Sequence, residues 1–393
     1  MRYATSDQLH RTPSLMLFML ALSTASFAQT SFYSTADIDL NAYENGELLR
    51  WEPIDGAPSG STAYRVLYKS EGLRGEAIAV SGVVIVPARP APAGGRKIVA
   101  WAHPTTGVMP KCAPSLARSL FQSIQGLEEM LQRGYVVTAT DYPGLGTAGP
   151  HPYLVGISEG RAVLDSVRAA QQTPGAGTGR AFTAWGHSQG GHAVLYAGIL
   201  ARTYAPELQL MGVAAAAPPT QLRLLLTGNV DSSGGKNITA TALWSWSQVY
   251  GVPISSIVAI PDVNRLASDG IERFFDVIER RTPSTDLEHS FLKVESLTDL
   301  EPWRSLISRN TPGILPRTVP VFLAQGMKDT LVQPEITENY MQRLSKAGIA
   351  AQWHPMANSG HLSVARDSAD AAIEWMAERF AGHPAPGSYS AIN

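Results

Sequence analysis

The residues best equipped for chemistry form one short run, Ala184-Trp185-Gly186-His187-Ser188-Gln189-Gly190-Gly191. A β-prone segment, Ala181-Phe182-Thr183, leads into it, and a helix former, His192-Ala193-Val194-Leu195-Tyr196-Ala197, leads out. A serine at a sharp strand-to-helix turn, with glycine two residues to either side, is presented as a nucleophile. The turn strains the serine backbone and pushes Oγ out of the sheet. A side chain at Gly186 or Gly190 would collide with neighbouring backbone. The helix that starts just after the serine aims its N-terminal N–H groups at negative charge developing there. The chemistry this predicts is attack of a hydroxyl on a carbonyl carbon, with an oxyanion to be stabilised.

The pattern by itself says little, because at average residue frequencies G-x-S-x-G arises by chance in about one chain in eight of this length. A second copy, Gly156-Ile157-Ser158-Glu159-Gly160, serves as an internal control. Before it stands Pro150-His151-Pro152-Tyr153-Leu154-Val155, with two prolines and no clean strand. Residues 161–170 after it read as an amphipathic helix, so Ser158 belongs near a helix N-cap. Only Ser188 has the strand, turn and helix that a nucleophile needs.

A serine hydroxyl is a poor nucleophile until a base takes its proton, and the base needs an orienting carboxylate. On a turn of this kind they follow the serine in the order acid, then histidine, from loops after later strands. Asp329 lies in Gln325-Gly326-Met327-Lys328-Asp329, directly after the strand-like residues 319–324. His361 lies in Asn358-Ser359-Gly360-His361-Leu362, between strand-like residues 349–353 and a terminal helix over about 363–380. Among rivals, His354 ends its strand before Pro355, and Glu335 begins a helix where an acid suits the dipole. His187 and His192 flank the serine too tightly to present a ring to Oγ, and fit packing or loop hydrogen bonding. The oxyanion needs two backbone N–H donors. Gln189 supplies one, and the loop Trp101-Ala102-His103-Pro104-Thr105-Thr106-Gly107 supplies the other from Thr105 or Thr106, since Pro104 has no N–H. Asp141, in Asp141-Tyr142-Pro143-Gly144-Leu145-Gly146, is read as pinning loop backbone.

Strand-like runs alternating with helices must position these groups. Residues 64–68 and 78–86 read as a leading antiparallel pair, followed by strands over 97–101, 135–140, 181–185 and 210–217 with helices over 115–133 and 158–172 between them. This rhythm predicts an α/β fold with a mainly parallel central sheet and helices on both faces, and with the serine turn it resembles the α/β-hydrolase fold. Between 221 and 317 it breaks into helical segments and aromatics, too long for a structureless loop, and an inserted, mostly helical cap is expected. Most of its aromatics should pack the cap, and Trp244, Trp246 and Phe275 are the ones expected to line a substrate pocket. The expected division is a signal peptide over 1–28, an N-terminal extension over 29–62, core over 63–220 and 318–381 with the cap between, and a tail over 382–393.

The 393 residues carry a net charge of −2 and are 44% hydrophobic, ordinary for a chain with a large core and no reason to expect nucleic acid as partner. Arg2 and Arg11 precede the apolar residues 15–22, and Ser26-Phe27-Ala28 offers a small-residue cleavage site, which together read as a secretory signal. The run is shorter than the roughly 20 residues of a membrane span. The mature protein is expected to be secreted or periplasmic. Cys112 is the only cysteine, so no internal disulfide forms, and a buried thiol acting as a small hydrophobe is expected.

His103-Pro104-Thr105-Thr106-Gly107, Cys112-Ala113-Pro114-Ser115, the Asp141–Gly146 loop, His151-Pro152-Tyr153 and Gly186-His187-Ser188-Gln189-Gly190-Gly191, taken together, resemble the secretory lipase family of α/β-hydrolases, the lipase A type. The resemblance covers about residues 64–380. It implies hydrolysis of carboxylic esters, a helical cap after the sixth strand, and Ser188, Asp329 and His361 as a triad. The chain departs from some members in giving Cys112 no partner. The resulting expectation is a lipase or esterase working through an acyl-enzyme, without metal or cofactor, on a small-molecule or lipid ester, with transient contact at a lipid interface. Two other readings stay open: a capped serine peptidase uses the same fold and triad, and a non-catalytic binding protein would usually lack a triad member, whereas none is missing here.

Overall fold

A computed structural model describes residues 32–228, 233–258, 292–294 and 296–386. The signal segment, Phe275 and much of the expected cap lie outside the described residues. One sheet of nine strands runs through the molecule: β1 (Leu48–Ile54), β2 (Ser61–Glu71), β3 (Ala77–Pro87), β4 (Arg96–Ala102), β5 (Val136–Thr140), β6 (Thr178–His187), β7 (Gln209–Ala216), β8 (Val321–Gly326) and β9 (Ala351–Met356). Their order is β1-β2-β3-β5-β4-β6-β7-β8-β9. The first four in space pair antiparallel, and from β5 to β9 every pairing is parallel.

Helices α1 (Leu120–Ser123), α2 (Leu127–Gln132), α3 (Gly156–Gln172) and α4 (Gln189–Tyr204) accompany the first half of the sheet. After β7 come α5 (Leu222–Gly228), α6 (Ser233–Tyr250) and α7 (Trp303–Asn310); α8 (Pro334–Lys346), α9 (Val364–Asp367) and α10 (Ala369–Phe380) complete the chain. Central strands are buried on both faces, which is why they read as continuous apolar runs. Along β4 the alternation divides the core. Val99 and Trp101 join one cluster with α10 and the helices between β7 and β8, while Ile98, Ala100 and Ala102 join another with α3, α4 and α8.

Four local expectations are corrected. Leu48–Ile54, assigned to an N-terminal extension, is the edge strand of the main sheet. The helix expected over 115–133 is broken into short turns and α1 and α2, with Gly126 in the left-handed region at φ 78° between the two helices. The last strand runs through Pro355 to Met356, which an edge strand tolerates because a missing N–H faces no neighbour. The terminal helix is divided between Asp367 and Ala369.

Candidate active site

The turn between β6 and α4 holds Ser188 at φ 54° and ψ −118°, a conformation costing an L-residue about 1–3 kcal/mol. Its N–H donates to Ala216 O at 2.9 Å, tying the turn to the end of β7. The flanking glycines are steric requirements. A Cβ at Gly186 would lie 2.3 Å from Gly190 O, and one at Gly190 would lie 1.9 Å from Ala102 O, where β4 ends. The second G-x-S-x-G has a different use. Its glycines sit in the first turns of α3, where a Cβ at Gly156 would strike the Tyr196 ring and one at Gly160 would come within 2.9 Å of Ala197 N. They let α3 lie close against α4.

Around Ser188 the later loops converge. His361 Nε2 stands 2.8 Å from Ser188 Oγ, and His361 Nδ1 stands 2.7 Å from Asp329 Oδ2. Asp329 follows β8, and its Oδ1 accepts the N–H groups of Leu331 at 2.8 Å and Val332 at 2.9 Å, which fixes the carboxylate plane. With Nδ1–H donating to Asp329, the network leaves Nε2 free to accept the serine proton. Backbone bonds from Met327 N to Met356 O and from Lys328 N to Ser359 O hold the loops carrying Asp329 and His361 together. His187 Nε2–H donates to His361 O at 2.8 Å, so the residue before the serine braces the loop carrying His361. His354 lies on β9 beside the Phe322 ring, and Glu335 is exposed at the start of α8.

The close approach of Gly190 to Ala102 and His103 sets the loop after β4 against the turn. Among the described residues, the backbone N–H groups of Gln189, Thr105 and Thr106 have no acceptor, although all three residues are buried. Unpaired buried donors are rare unless a ligand uses them. The loop is held from several sides: Thr105 Oγ1 meets Tyr153 OH at 2.9 Å, Tyr142 OH donates to His103 O at 3.2 Å, and His103 Nδ1 bonds to Pro104 O at 2.6 Å. Asp141 pins backbone, accepting Ser115 N–H at 2.8 Å and the Ser81 hydroxyl at 2.6 Å. Cys112 is buried with Ala113 and Leu145. Among the described residues no group of three or more His, Cys, Asp or Glu is arranged to hold a metal ion.

The aromatics divide. Trp246 is fully buried and its indole N–H donates to Tyr153 O at 2.9 Å, so it anchors α6 and has no face open to a ligand, contrary to expectation. Trp244 is half-buried against the same cluster, and Phe275 lies outside the described residues. Sequence reasoning gave no role to Glu159, nor to His151 and Tyr153 beyond their place in the family resemblance, and all three lie behind Ser188. Glu159 is completely buried, and its carboxylate accepts the Leu154 N–H at 2.9 Å, the Gln189 side-chain N–H at 2.8 Å and His192 Nδ1–H at 2.7 Å. The only available signal was Glu159's place inside the spare motif.

Burial sets the charge of several rings. Desolvation pulls the pKa of His103 down to about 4 and those of His151 and His187 to about 3. Below pH 6.5 the unfolded chain binds protons at these rings that the native chain does not. Stability therefore falls with pH, by up to about 1.4 kcal/mol per pH unit for each ring, until the native values are reached. Asp141 and Asp165, raised by burial, act in the opposite sense just above the ordinary carboxylate value. The midpoint of thermal unfolding should drop steadily between pH 6.5 and 4.5; a flat profile would show that these rings titrate normally.

The secretory lipase model matches residues 122–250 and 271–388. Lipase A of Moesziomyces aphidis is 26% identical over 49% of this chain and 43% of its own length, so this chain spans less than half of that relative. A Mycobacterium tuberculosis protein named a probable inactive lipase is 24% identical over 86% of this chain and 79% of its own. The crystal structure of Candida antarctica lipase A in its closed state shares the fold at a TM-score of 0.73 and 17% identity, covering 92% of this chain and 89% of that one. With the family model matching more than half of its length, this chain belongs to the secretory lipase family.

Proposed function

We propose that this chain is an exported serine hydrolase that cleaves carboxylic esters through an acyl-enzyme. The observation that carries the reading is the unbroken line Asp329–His361–Ser188, at 2.7 and 2.8 Å, together with backbone N–H groups at Gln189 and at Thr105 or Thr106 that have no acceptor among the described residues. Ser188 Oγ attacks the ester carbonyl while His361 Nε2 takes its proton, and Asp329 holds the resulting imidazolium. The carbonyl oxygen becomes an oxyanion beside the free N–H groups. On collapse, His361 returns the proton to the departing alcohol, leaving an ester on Ser188. Water then repeats the sequence and releases the acid. The apolar residues 15–22 and the small residues before Gln29 support export.

The direct test is turnover of p-nitrophenyl esters of rising chain length, beside emulsified triglyceride and an aminoacyl anilide. Ester cleavage without anilide cleavage is expected; cleavage of the anilide alone would make the chain a peptidase. In this reading the helices between β7 and β8 cap Ser188 and carry the acyl preference. Bonds from α6 to the segment behind the serine support that place, with Ser245 donating to His151 O at 2.6 Å. Trp244→Ala should reorder kcat/KM among acetate, butyrate, octanoate and palmitate esters, at about 0.8 kcal/mol per CH₂ no longer buried, while acetate stays within a few-fold. A uniform loss across the four would place the acyl site elsewhere.

A further inference from the structure

Behind the reacting face lies a buried polar cluster that the ester mechanism does not use. Glu159 on α3 points its carboxylate at the first turn of α4. One oxygen accepts the Leu154 N–H and the Gln189 Nε2–H, and the other accepts His192 Nδ1–H. The second hydrogen of Gln189 Nε2 goes to His151 Nε2 at 3.0 Å. His151 is free to accept it because its Nδ1 lies 2.8 Å from Pro143 O and the ring is neutral. His192 Nε2, on its far side, meets Asn310 O at 2.7 Å on α7. Among the described residues, Gln189 Oε1 is left buried with no partner. An orphaned amide oxygen costs about 1–3 kcal/mol. Turning the amide over would set that oxygen against the Glu159 carboxylate, so Glu159 and His151 dictate how Gln189 lies.

Gln189 is also the residue whose backbone N–H faces the developing oxyanion. Resting on the ester-hydrolase reading above, we propose that Glu159 is a positioning residue for that donor. By holding the Gln189 side chain from behind and His192 one turn later, it fixes the first turn of α4 and the direction of the Gln189 N–H. Donors in such a site act only if they are already aimed where charge appears, and a displacement of about 1 Å costs on the order of 10²-fold in rate. The short distance from α3 to α4, permitted by Gly156 and Gly160, is what brings the carboxylate within reach.

The test compares Glu159→Ala, Glu159→Gln and Gln189→Met on a soluble p-nitrophenyl ester. Glu159→Ala should lower kcat by roughly 10- to 100-fold with KM within about threefold, a loss confined to the transition state. Glu159→Gln should restore kcat to within about fivefold: its carbonyl can accept from Leu154 and Gln189, and its amide can donate to the other tautomer of His192. Gln189→Met keeps the backbone donor and the side-chain length but cuts the tie, and should lose as much as Glu159→Ala. The double variant should be no worse than the poorer single one, because both break the same linkage. An alkylboronic acid, which captures Ser188 Oγ as a tetrahedral anion, should bind the variants more weakly by the factor lost in kcat. Wild-type kcat in Gln189→Met, a loss in KM alone, or multiplicative losses in the double variant would overturn the proposal, and Gln189→Met decides it even if Glu159→Ala does not fold. Retention of activity in Ser188→Ala would instead overturn the ester-hydrolase reading itself.

Discussion

Ester hydrolysis should vanish in Ser188→Ala and survive nearly unchanged in Ser158→Ala. The two serines share one motif and differ in every physical respect that matters. Ser188 is strained at φ 54° on the turn between strand and helix, with an imidazole nitrogen 2.8 Å from its hydroxyl. Ser158 lies in the first turn of α3, its N–H donating to Val155 O, and among the described residues no titratable ring is bonded to it. Removing the nucleophile of a triad typically costs on the order of 10⁶ in kcat, with only the residual catalysis of the oxyanion donors left. Removing the Ser158 hydroxyl costs at most about one hydrogen bond of stability. Single-turnover and steady-state rates on one soluble ester, for both variants, measure the contrast.

Asp329→Asn should lower kcat by about 10⁴ at most, and His361→Ala by several orders of magnitude, while the fold persists. For the asparagine the reason lies in the loop after β8. Oδ1 at that position accepts two backbone N–H groups, from Leu331 and Val332. An asparagine keeps its carbonyl on those donors, so its amide nitrogen turns towards His361 Nδ1. The ring then carries its proton on Nε2, where it can no longer take one from Ser188. Glu335→Gln and His354→Ala touch neither Ser188 nor His361 and should leave kcat within a few-fold. Burial lowers the pKa of the neighbouring His187 ring to about 3, so that ring stays neutral in weak acid. Loss in Glu335→Gln with activity in Asp329→Asn would mean a different acid.

The readable parts of the chain were those where burial writes directly into residue type. Strands β4 to β8 are covered on both faces and announce themselves as apolar runs. Asp329 lies just after such a run, β8, whereas His361 was placed by its position between the last strand and the terminal helix. β1 was missed because an edge strand carries Arg50, an exposed Trp51, Glu52 and Pro53, a pattern that looks like a loop. The spatial exchange of β4 and β5 comes from pairing across the sheet, which no local period records. Trp246 was misread because composition does not say which aromatic meets a backbone carbonyl, and Tyr153 O decided it. Glu159 was invisible for a related reason: its role needs two helices to touch, and only the close packing of Gly156 and Gly160 brings it beneath the nucleophile.

The most direct measurement is labelling with a fluorophosphonate, which forms a bond only with a serine whose proton a neighbouring base can remove. Digestion and mass spectrometry of the labelled wild-type protein should recover a single modified peptide, the one containing Ser188, and the label should disappear in Ser188→Ala and in His361→Ala. A label on Ser158, or a folded protein that takes up none, would contradict the account.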